Sequence, residues 1–337
     1  MIIFQRMQMW GAALLLAVAL LLTACAAEPQ PVRSDANVVV VYNCNDEDWT
    51  ASLAKEFQEE TGIQVQLVCG TSDELMARVR TEQEKPRGDI IWGGTADAYV
   101  ALTPYLEPYV FPEKSAIQSD FVRRDNVFYN MTMDPYVIAY NTDLVSEANA
   151  PKGWRDLLDP KFRGRIALAD PAKSNHAYIV LLTMMDALGG DTAVIGQMAE
   201  QLNGRIIGSS AEQIKALSNG AYAVTATFEE PVLKYIKGDA HIKIVYPREG
   251  TTVSSTGIAI IKNAPHADNA KKFLDFAMSR EVHGRLGSYE FRSSRVDIST
   301  PPNLRPLSEI PHTRFDTQRA VSFRDEFLSK WRAAVIK

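Results

Sequence analysis

The chain has 337 residues, a formal net charge of -5 and hydrophobic residues at 46% of its positions. This length is enough for two domains with separate cores. The mildly acidic and evenly mixed charge argues against nucleic acid as a partner. Beyond the N-terminal segment, no apolar stretch of the sequence approaches the length that a membrane-spanning helix needs.

The N-terminal segment predicts where the protein resides. Arg6 is its only charge, an apolar run follows over residues 12–22, and Leu22-Thr23-Ala24-Cys25 ends it. This pattern is typical of a secretory signal peptide, over residues 1–24, with a lipoprotein-type cleavage site. The apolar core is shorter than the ~20 residues of a membrane span, so cleavage is favoured over an uncleaved anchor, which is the alternative. We expect Cys25 to be acylated, residues 25–36 to form a tether, and the body to lie outside the cytoplasmic membrane.

Two cysteines, Cys44 and Cys69, remain in the body of the chain. Each comes one or two residues after a predicted strand, over residues 38–42 and 63–68. In an extracytoplasmic protein a cysteine pair is more often bridged than free, and neighbouring parallel strands would bring these two near each other. We therefore predict a disulfide, worth roughly 3 to 4 kcal/mol on the chain-entropy model. A metal site is disfavoured because no Cys-x-x-Cys spacing and no nearby histidine accompany them.

The first half of the body alternates strands and helices. Asn45 or Asp46 can cap a helix over about 47–60, which Gly62 ends, and Thr71-Ser72-Asp73-Glu74 is a capping box that opens a second helix. A short buried strand over 89–92 leads into Gly93-Gly94-Thr95. This order predicts a parallel, right-handed, doubly wound sheet. Ligands in such folds bind beyond the carboxyl ends of the strands, where this sequence places Asn45, Thr71, Ser72, Gly94 and Thr95.

A second α/β unit is predicted after the strand over residues 136–141. Ser174-Asn175-His176 precedes an apolar helix that runs to Leu188, and Glu229 follows a strand over 221–227. The segment 253–261 would cross back to the first unit, which a helix over 267–279 completes. The predicted fold is therefore α/β with two units, here called lobes. The first lobe comprises residues 37–134 and 256–337, and the second comprises residues 135–255.

Four stretches of the chain carry a resemblance to a known family. They are residues 70–79 (GTSDELMARV), 88–94 (GDIIWGG), 137–142 (VIAYNT) and 257–262 (GIAIIK). Together they resemble the substrate-binding proteins of ABC importers, in the family 1 extracellular solute-binding group. The most similar branch includes ferric-ion, hexose-phosphate and 2-aminoethylphosphonate binders. The resemblance implies a type II periplasmic binding protein fold, with two doubly wound lobes joined by two crossover strands. It also implies an interlobe cleft and delivery of a small ligand to a membrane permease. A monomer is expected.

The nature of the ligand is predicted from the residues at the cleft. Thr71, Ser72, Ser174 and Asn175 stand at helix starts, where backbone N–H groups and the helix dipole favour an anion. Plain helix capping is the alternative for each of them. His176 could add a donor or a cation, or serve only a structural role. Glu229 would repel a bare phosphate but would hold an ammonium group or hydroxyls; alternatively, Glu229 or Glu230 pairs with Lys234.

These features predict a small phosphorylated or phosphonate-bearing organic anion as the ligand, with no cofactor and no metal. Ferric binders of this branch use a tyrosine pair after the strand that corresponds to residues 221–227, whereas Phe228-Glu229-Glu230 stands here. A ferric-ion binder therefore remains only as an alternative. A secreted enzyme is a second alternative, although no P-loop, Gly-x-Ser-x-Gly or His-Glu-x-x-His motif is present. A surface adhesin or structural lipoprotein would need no closing cleft.

Overall fold

The computed structural model describes residues 37–336, so the predicted signal peptide, Cys25 and the tether lie outside the described residues. The strands are β1 (Val38–Asn43), β2 (Gln64–Cys69), β3 (Ile90–Thr95), β4 (Leu106–Glu107), β5 (Tyr129–Asn130), β6 (Asp134–Asn141), β7 (Ile166–Ala167), β8 (Val224–Phe228), β9 (Ile242–Val245), β10 (Thr251–Ser254), β11 (Thr256–Ile261) and β12 (His312–Arg314). Within the described range, no helix has both the length and the apolar character needed to cross a bilayer.

The helices begin and end largely where the capping residues predict. They are α1 (Glu47–Thr61), α2 (Ser72–Thr81), α3 (Ala96–Leu102), α4 (Asn175–Ala187), α5 (Ala193–Leu202), α6 (Ser210–Ser218), α7 (Glu229–Lys237), α8 (Ala267–Ala277), α9 (Arg280–Arg285) and α10 (Thr317–Val335). Asp46 caps α1, which ends at Gly62 with a φ of 70°. Thr71 and Glu74 form the predicted capping box of α2.

The first lobe is built on a six-stranded sheet in the order β2-β1-β3-β11-β4, with β5 also paired to β11. β1 pairs in parallel with both β2 and β3, as the sequence pattern predicts. β11 runs antiparallel to β3 because it returns from the other lobe. Apolar side chains cover both faces of the sheet, so β1 is buried along its whole length.

The second lobe has its own six-stranded sheet, in the order β12-β10-β6-β8-β7, with β9 paired to β6. The apolar helix α4 is buried in its core beside β8. The sequence-based boundary assigns all of 256–337 to the first lobe, whereas β12 pairs with β10 and side chains of α10 join the second lobe's core. This last helix carries buried Phe327 and Trp331 among polar residues, and that amphipathic stripe fits an apolar surface of either lobe.

Two crossovers join the lobes. The chain passes from β5 in the first sheet to β6 in the second over residues 131–133, and Ser255 alone separates β10 from β11. The predicted single return segment over 253–261 is therefore two strands in two different sheets. The crossovers contact each other, since the hydroxyls of Thr132 and Thr256 lie 2.9 Å apart. Side chains close to residues 131–133 and Ser255 therefore lie between the two lobes and can contact either of them.

The predicted disulfide is absent, because Cys44 and Cys69 are both free. The strands are neighbours as expected, but Cys69 pairs in register with Asn43 rather than with Cys44. Successive side chains of a strand point to opposite faces of the sheet. Cys44 packs with Tyr42 on one face, whereas Cys69 lies on the other face, where the Asn43 amide donates to its sulfur over 3.7 Å. Neighbouring strands alone therefore do not bring the two sulfurs together.

Candidate functional site

A cavity of about 160 Å³ lies between the lobes, at the carboxyl ends of β1, β3 and β8. Most of its lining residues are polar, and they come from both lobes and from the crossover residue Ser255. The lining residues are Cys44, Asn45, Asp46, Ser72, Gly94, Thr95, Asp134, Tyr136, His176, Phe228, Glu230, Lys234, Ser254, Ser255, Thr256 and Phe291. Five of the predicted site residues are among them: Asn45, Ser72, Gly94, Thr95 and His176.

The first-lobe wall is formed by turns in which the backbone approaches side chains closely. Gly93 and Gly94 have φ values of 91° and 80°, in the left-handed region that favours glycine. A Cβ atom on Gly93 would lie 2.6 Å from the Asn45 side chain, and one on Gly94 would lie 3.2 Å from the Ser72 hydroxyl. The absence of side chains at these glycines therefore leaves room for Asn45 and Ser72 at the cavity wall.

The start of α4 contributes His176 to the second-lobe wall. Its ring stacks on Phe228 with centroids 4.1 Å apart, and its Nδ1 lies 3.5 Å from the Tyr136 hydroxyl. The ring is partly buried at the cavity, and desolvation there lowers the pKa of His176 to about 4. At neutral pH His176 is therefore an uncharged hydrogen-bonding group rather than a cation.

Helix α7 carries a charged cluster that reaches across the cleft. The Lys234 ammonium lies 2.6 Å from Glu230 on the same helix and 3.1 Å from Asp46 at the start of α1. Burial raises the pKa of Glu230, and Lys234 opposes that rise. The i, i+4 pairing of Glu230 with Lys234 is thus formed. Lys234 is the one cationic side chain among the cavity-lining residues of the described chain.

Asp134, at the junction of the crossovers, is the one cavity-lining carboxylate in the described part of the chain without an ion pair. It is 6% exposed, and among residues 37–336 its only hydrogen bond comes from the Thr132 hydroxyl, over 2.5 Å. Burial, together with the nearby charges of Glu230 and Glu229, raises its pKa to about 7, against the lowering effects of Thr132 and Arg292. No ion pair to Asp134 is formed in the described part of the chain, although its side chain faces the cavity.

Glu229, which the sequence analysis places at the ligand, does not line the cavity. Its carboxylate accepts two hydrogen bonds from the Arg292 guanidinium, over 2.6 and 2.9 Å, and a third from the Tyr246 hydroxyl. The side chains of Glu229 and Arg292 are only 2% and 3% exposed. This pair joins α7 of the second lobe to the segment after α9 in the first lobe. Glu229 is therefore fully engaged in a contact between the lobes.

The remaining predicted residues also lie outside the cavity lining. Thr71 is exposed and bonds to Glu74. Ser174 caps α4 and contacts the Ser210 hydroxyl. The Asn175 amide reaches across the cleft to Thr95 and Asp97, over 2.7 and 3.0 Å. Capping thus describes Thr71 and Ser174, while Asn175 links the lobes directly.

Several lining residues were missed by the sequence analysis, most notably Asp134, Tyr136 and Lys234. Asp134-Pro135 precedes an apolar strand, and a carboxylate directly ahead of a buried run could have been noted as unusual. Nothing in the local pattern of Lys234 distinguishes it from a solvated helical lysine. Its position follows from the lobe arrangement, which local patterns do not encode.

The lobes touch on both flanks of the cavity. Asn175 bridges to Thr95 on one flank. On the other, Lys234 bridges to Asp46, and Lys237 lies 2.9 Å from both Glu290 and the Ser288 carbonyl. The cavity volume therefore belongs to an arrangement in which the lobes already contact each other around it.

The tyrosines between residues 222 and 246, which a ferric site would require, make contacts outside the cavity. Tyr246 bonds to Glu229, Tyr235 packs in an apolar cluster, and Tyr222 lies under Arg205. Among residues 37–336, no group of three or more His, Cys, Asp and Glu side chains is arranged to hold a metal ion. In the described lining, Tyr136 is the one phenol, and burial raises its pKa well above the usual value.

Two α/β lobes, two crossovers and a polar cavity between them define a two-lobed solute-binding protein. Residues 52–285 match the family model of bacterial extracellular solute-binding proteins, and the chain belongs to that family. The solved structure of the periplasmic binding protein AfuA from Actinobacillus pleuropneumoniae, with fructose-6-phosphate bound, has the same fold. Its TM-score is 0.79 at 23% identity, covering 88% of this chain and 98% of that one. The predicted type II periplasmic binding protein fold is thus confirmed.

Two relatives have names that refer to different ligands. Iron uptake protein A1 of Synechocystis is 25% identical, over 80% of this chain and 81% of its own length. A candidate 2-aminoethylphosphonate-binding periplasmic protein of Salmonella typhimurium is 25% identical, over 74% of this chain and 76% of its own. Members of the family are binding components of transporters rather than enzymes. This chain is an extracytoplasmic protein that binds a small ligand for an ABC importer.

Proposed function

We propose that this binding protein captures a small phosphorylated or phosphonate-bearing organic anion in the interlobe cavity. The single observation that carries the proposal is the convergence of helix starts on the cavity, where Ser72 opens α2 and His176 lies in the first turn of α4. Each helix start presents free N–H groups and about half a positive charge. Lys234 adds a full positive charge.

A simple anion would not complement the whole cavity. Asp46, Asp134 and Glu230 line it together with Lys234, so the charged side chains carry a formal charge of -2. A carboxylate close to a desolvated phosphate is repulsive, whereas a carboxylate close to an amine or a hydroxyl is attractive. The proposed ligand therefore carries an amine or hydroxyls in addition to its anionic group. The names of the Salmonella relative and of the AfuA complex agree with such a ligand.

Thermal unfolding of the chain from residue 26 onward tests this function. The panel contains aminoethylphosphonate, hexose phosphates, glycerol phosphate, inorganic phosphate, and ferric ion with a synergistic anion. A true ligand at a hundred times its dissociation constant should add about 2.7 kcal/mol of stability. We expect a shift with a phosphorylated or phosphonate compound that is weakened by Ser72→Ala. The control is Ser322→Ala, which removes an exposed hydroxyl on α10, outside the cavity lining. If ferric ion were the one compound of the panel that stabilises the protein, the proposed ligand would be wrong and iron would be the ligand.

We also propose that Cys25 carries a lipid anchor. The support is the apolar run over residues 12–22 followed by Leu22-Thr23-Ala24-Cys25, which fits a lipoprotein-type signal. Metabolic labelling with an alkyne fatty acid should label the wild-type protein and Cys69→Ser but not Cys25→Ser. Labelling that persists in Cys25→Ser would contradict the anchor and would leave the ligand proposal intact.

A further inference from the structure

The Asp134 carboxylate is buried at the cavity without a cation. Buried carboxylates in proteins are nearly always paired, because an isolated charge loses its hydration without compensation. Asp134 is 6% exposed and receives one hydrogen bond, from Thr132. The Arg292 guanidinium lowers the pKa of Asp134 but forms no ion pair with it. Its Nε and Nη2 donate to Glu229, and its buried Nη1 has no hydrogen-bond partner among the described residues. A positively charged partner for Asp134 is thus missing from the described residues.

The neighbouring carboxylates of the cavity do not share this deficiency. Glu230 and Asp46 both contact the Lys234 ammonium, at 2.6 and 3.1 Å. If the ligand were a pure anion, its charge would add to that of Asp134 in a desolvated space. The positive ends of α2 and α4, at about half a charge each, would offset only part of the sum. A ligand with its own cationic group balances the cavity.

The cavity volume limits the size of that ligand. The lobes already touch around a space of about 160 Å³. An engineered protein cavity of about 150 Å³ accommodates benzene. Aminoethylphosphonate is only slightly larger than benzene, whereas a hexose phosphate has more than twice as many non-hydrogen atoms. The volume therefore favours a short, two-ended molecule.

We propose that the ligand is a short zwitterion, with a phosphonate or phosphate at one end and an ammonium group at the other, and that Asp134 accepts the ammonium group. The inference rests on the proposed function and narrows it from phosphorylated or phosphonate compounds in general to those that carry an amine. Asp134 is then the residue that determines specificity, while Glu230 and Asp46 hold Lys234 in place beside the ligand.

Matched ligands that differ only in the amine test the inference. Isothermal titration would compare aminoethylphosphonate with ethylphosphonate, and phosphoethanolamine with ethyl phosphate, on the wild-type chain. Truncating one partner of a buried charge pair typically costs at least a factor of about thirty in affinity. We expect the wild-type protein to prefer each amine-bearing ligand by roughly that factor or more. In Asp134→Asn, the preference should fall to about threefold or less.

Asp275→Asn is the matched control for this substitution. Asp275 also accepts a hydrogen bond from a hydroxyl, that of Tyr109 over 2.8 Å, and burial also raises its pKa, but it lies on α8 outside the cavity lining. The control should keep the full preference for the amine. If Asp134→Asn fails to fold, the wild-type preference still decides whether the ligand carries an amine, and the position of the ligand nitrogen in a crystal structure with aminoethylphosphonate decides whether Asp134 accepts it.

The outcomes separate this inference from the function on which it rests. If the wild-type protein binds ethylphosphonate and aminoethylphosphonate equally well, the ammonium site is overturned and the anion-binding function stands. If neither phosphonate nor phosphate compounds bind, both proposals fail. If the preference for the amine persists in Asp134→Asn, the role of Asp134 is overturned.

Discussion

Glu229 and Asp134 are buried carboxylates on two sides of the same junction, close enough that Glu229 raises the pKa of Asp134. Glu229, at the start of α7, accepts hydrogen bonds from Arg292 and Tyr246 and is shielded from the cavity. Asp134, at the start of β6, receives one hydroxyl contact and faces the cavity. Glu229 thus has a cationic partner within the protein, whereas Asp134 has none among the described residues.

This difference indicates what each carboxylate does. A buried ion pair contributes little net stability over apolar packing, but removal of one partner is costly. The Glu229–Arg292 pair can therefore hold the two lobes in register without any ligand. An unpaired carboxylate has no such structural use, and it weakens the folded state unless a ligand supplies the charge. Both residues are carboxylates. What distinguishes Asp134 at the site from Glu229 at the interlobe contact is whether the protein supplies a cation as partner.

The largest effect is expected from Arg292→Met, which would make Glu229 resemble Asp134. The substitution leaves the buried Glu229 carboxylate without its cation, so the free energy of unfolding should fall by about 3 to 5 kcal/mol. Urea denaturation at pH 7 measures it. The matched control is Arg285→Met, since Arg285 also binds a glutamate, Glu56, with two hydrogen bonds, but its side chain is 42% exposed.

The control should lose less than about 1 kcal/mol, because exposed ion pairs are screened by water. Equal losses in the two variants would mean that burial does not distinguish the two ion pairs. In the double variant Arg292→Met/Glu229→Gln, part of the lost stability should return because the uncompensated charge is gone.

The ligand-free protein should gain stability from Asp134→Asn at alkaline pH. The pKa of Asp134 rises from its usual 3.8 to about 7 in the folded state, so between these values the folded state binds more protons than the unfolded state. Stability from this group is therefore present below about pH 4 and is lost as the pH rises through 7. At pH 8 the variant should exceed the wild type by up to about 4 kcal/mol, with little difference at pH 4.

Urea denaturation without ligand at pH 4, 6 and 8 measures this difference. A variant that is less stable than the wild type at pH 8 would show that Asp134 has a stabilising partner. Such a result would remove the contrast with Glu229.

A smaller effect is expected from Gly94→Ala, at the first-lobe wall away from both carboxylates. A Cβ at this position would lie 2.9 Å from the Met76 methyl and 3.2 Å from the Ser72 hydroxyl. Displacing Ser72 should reduce ligand affinity by about tenfold, within the usual cost of overpacking. The left-handed backbone should reduce stability by about 1–2 kcal/mol.

Gly190→Ala is the control, because Gly190 has nearly the same φ, 81°, and open space around its Cβ position. It should lose similar stability but retain full affinity in titration calorimetry. Loss of affinity in both variants would show that backbone strain, rather than the position of Ser72, controls binding.

Most of the fold could be predicted from the sequence because its signals are local. The caps Asp46 and Thr71, the helix end at Gly62 and the buried strands all specify elements by themselves. The C-terminal segment could not be assigned, because an amphipathic helix such as α10 can cover either lobe. The disulfide prediction was wrong because strand adjacency does not specify the face on which each cysteine lies.

The site could be predicted only in part, for a related reason. Asn45 and Ser72 follow strand ends and Thr95 ends β3, and the topology rule places all three at the cavity. The choice of Glu229 over Asp134 depends on Arg292, which follows Glu229 by 63 residues. Local patterns contain no information about such a partner. The same holds for Lys234, whose cavity position depends on the contact with Asp46 across the cleft.

The most direct test of the account is the crystal structure of the chain with aminoethylphosphonate bound. We predict that the ligand nitrogen lies within about 3.2 Å of the Asp134 carboxylate. The phosphonate oxygens should contact the starts of α2 and α4, near Ser72 and His176. A reversed ligand, with its phosphonate against Asp134 and its nitrogen away from any carboxylate, would contradict the account.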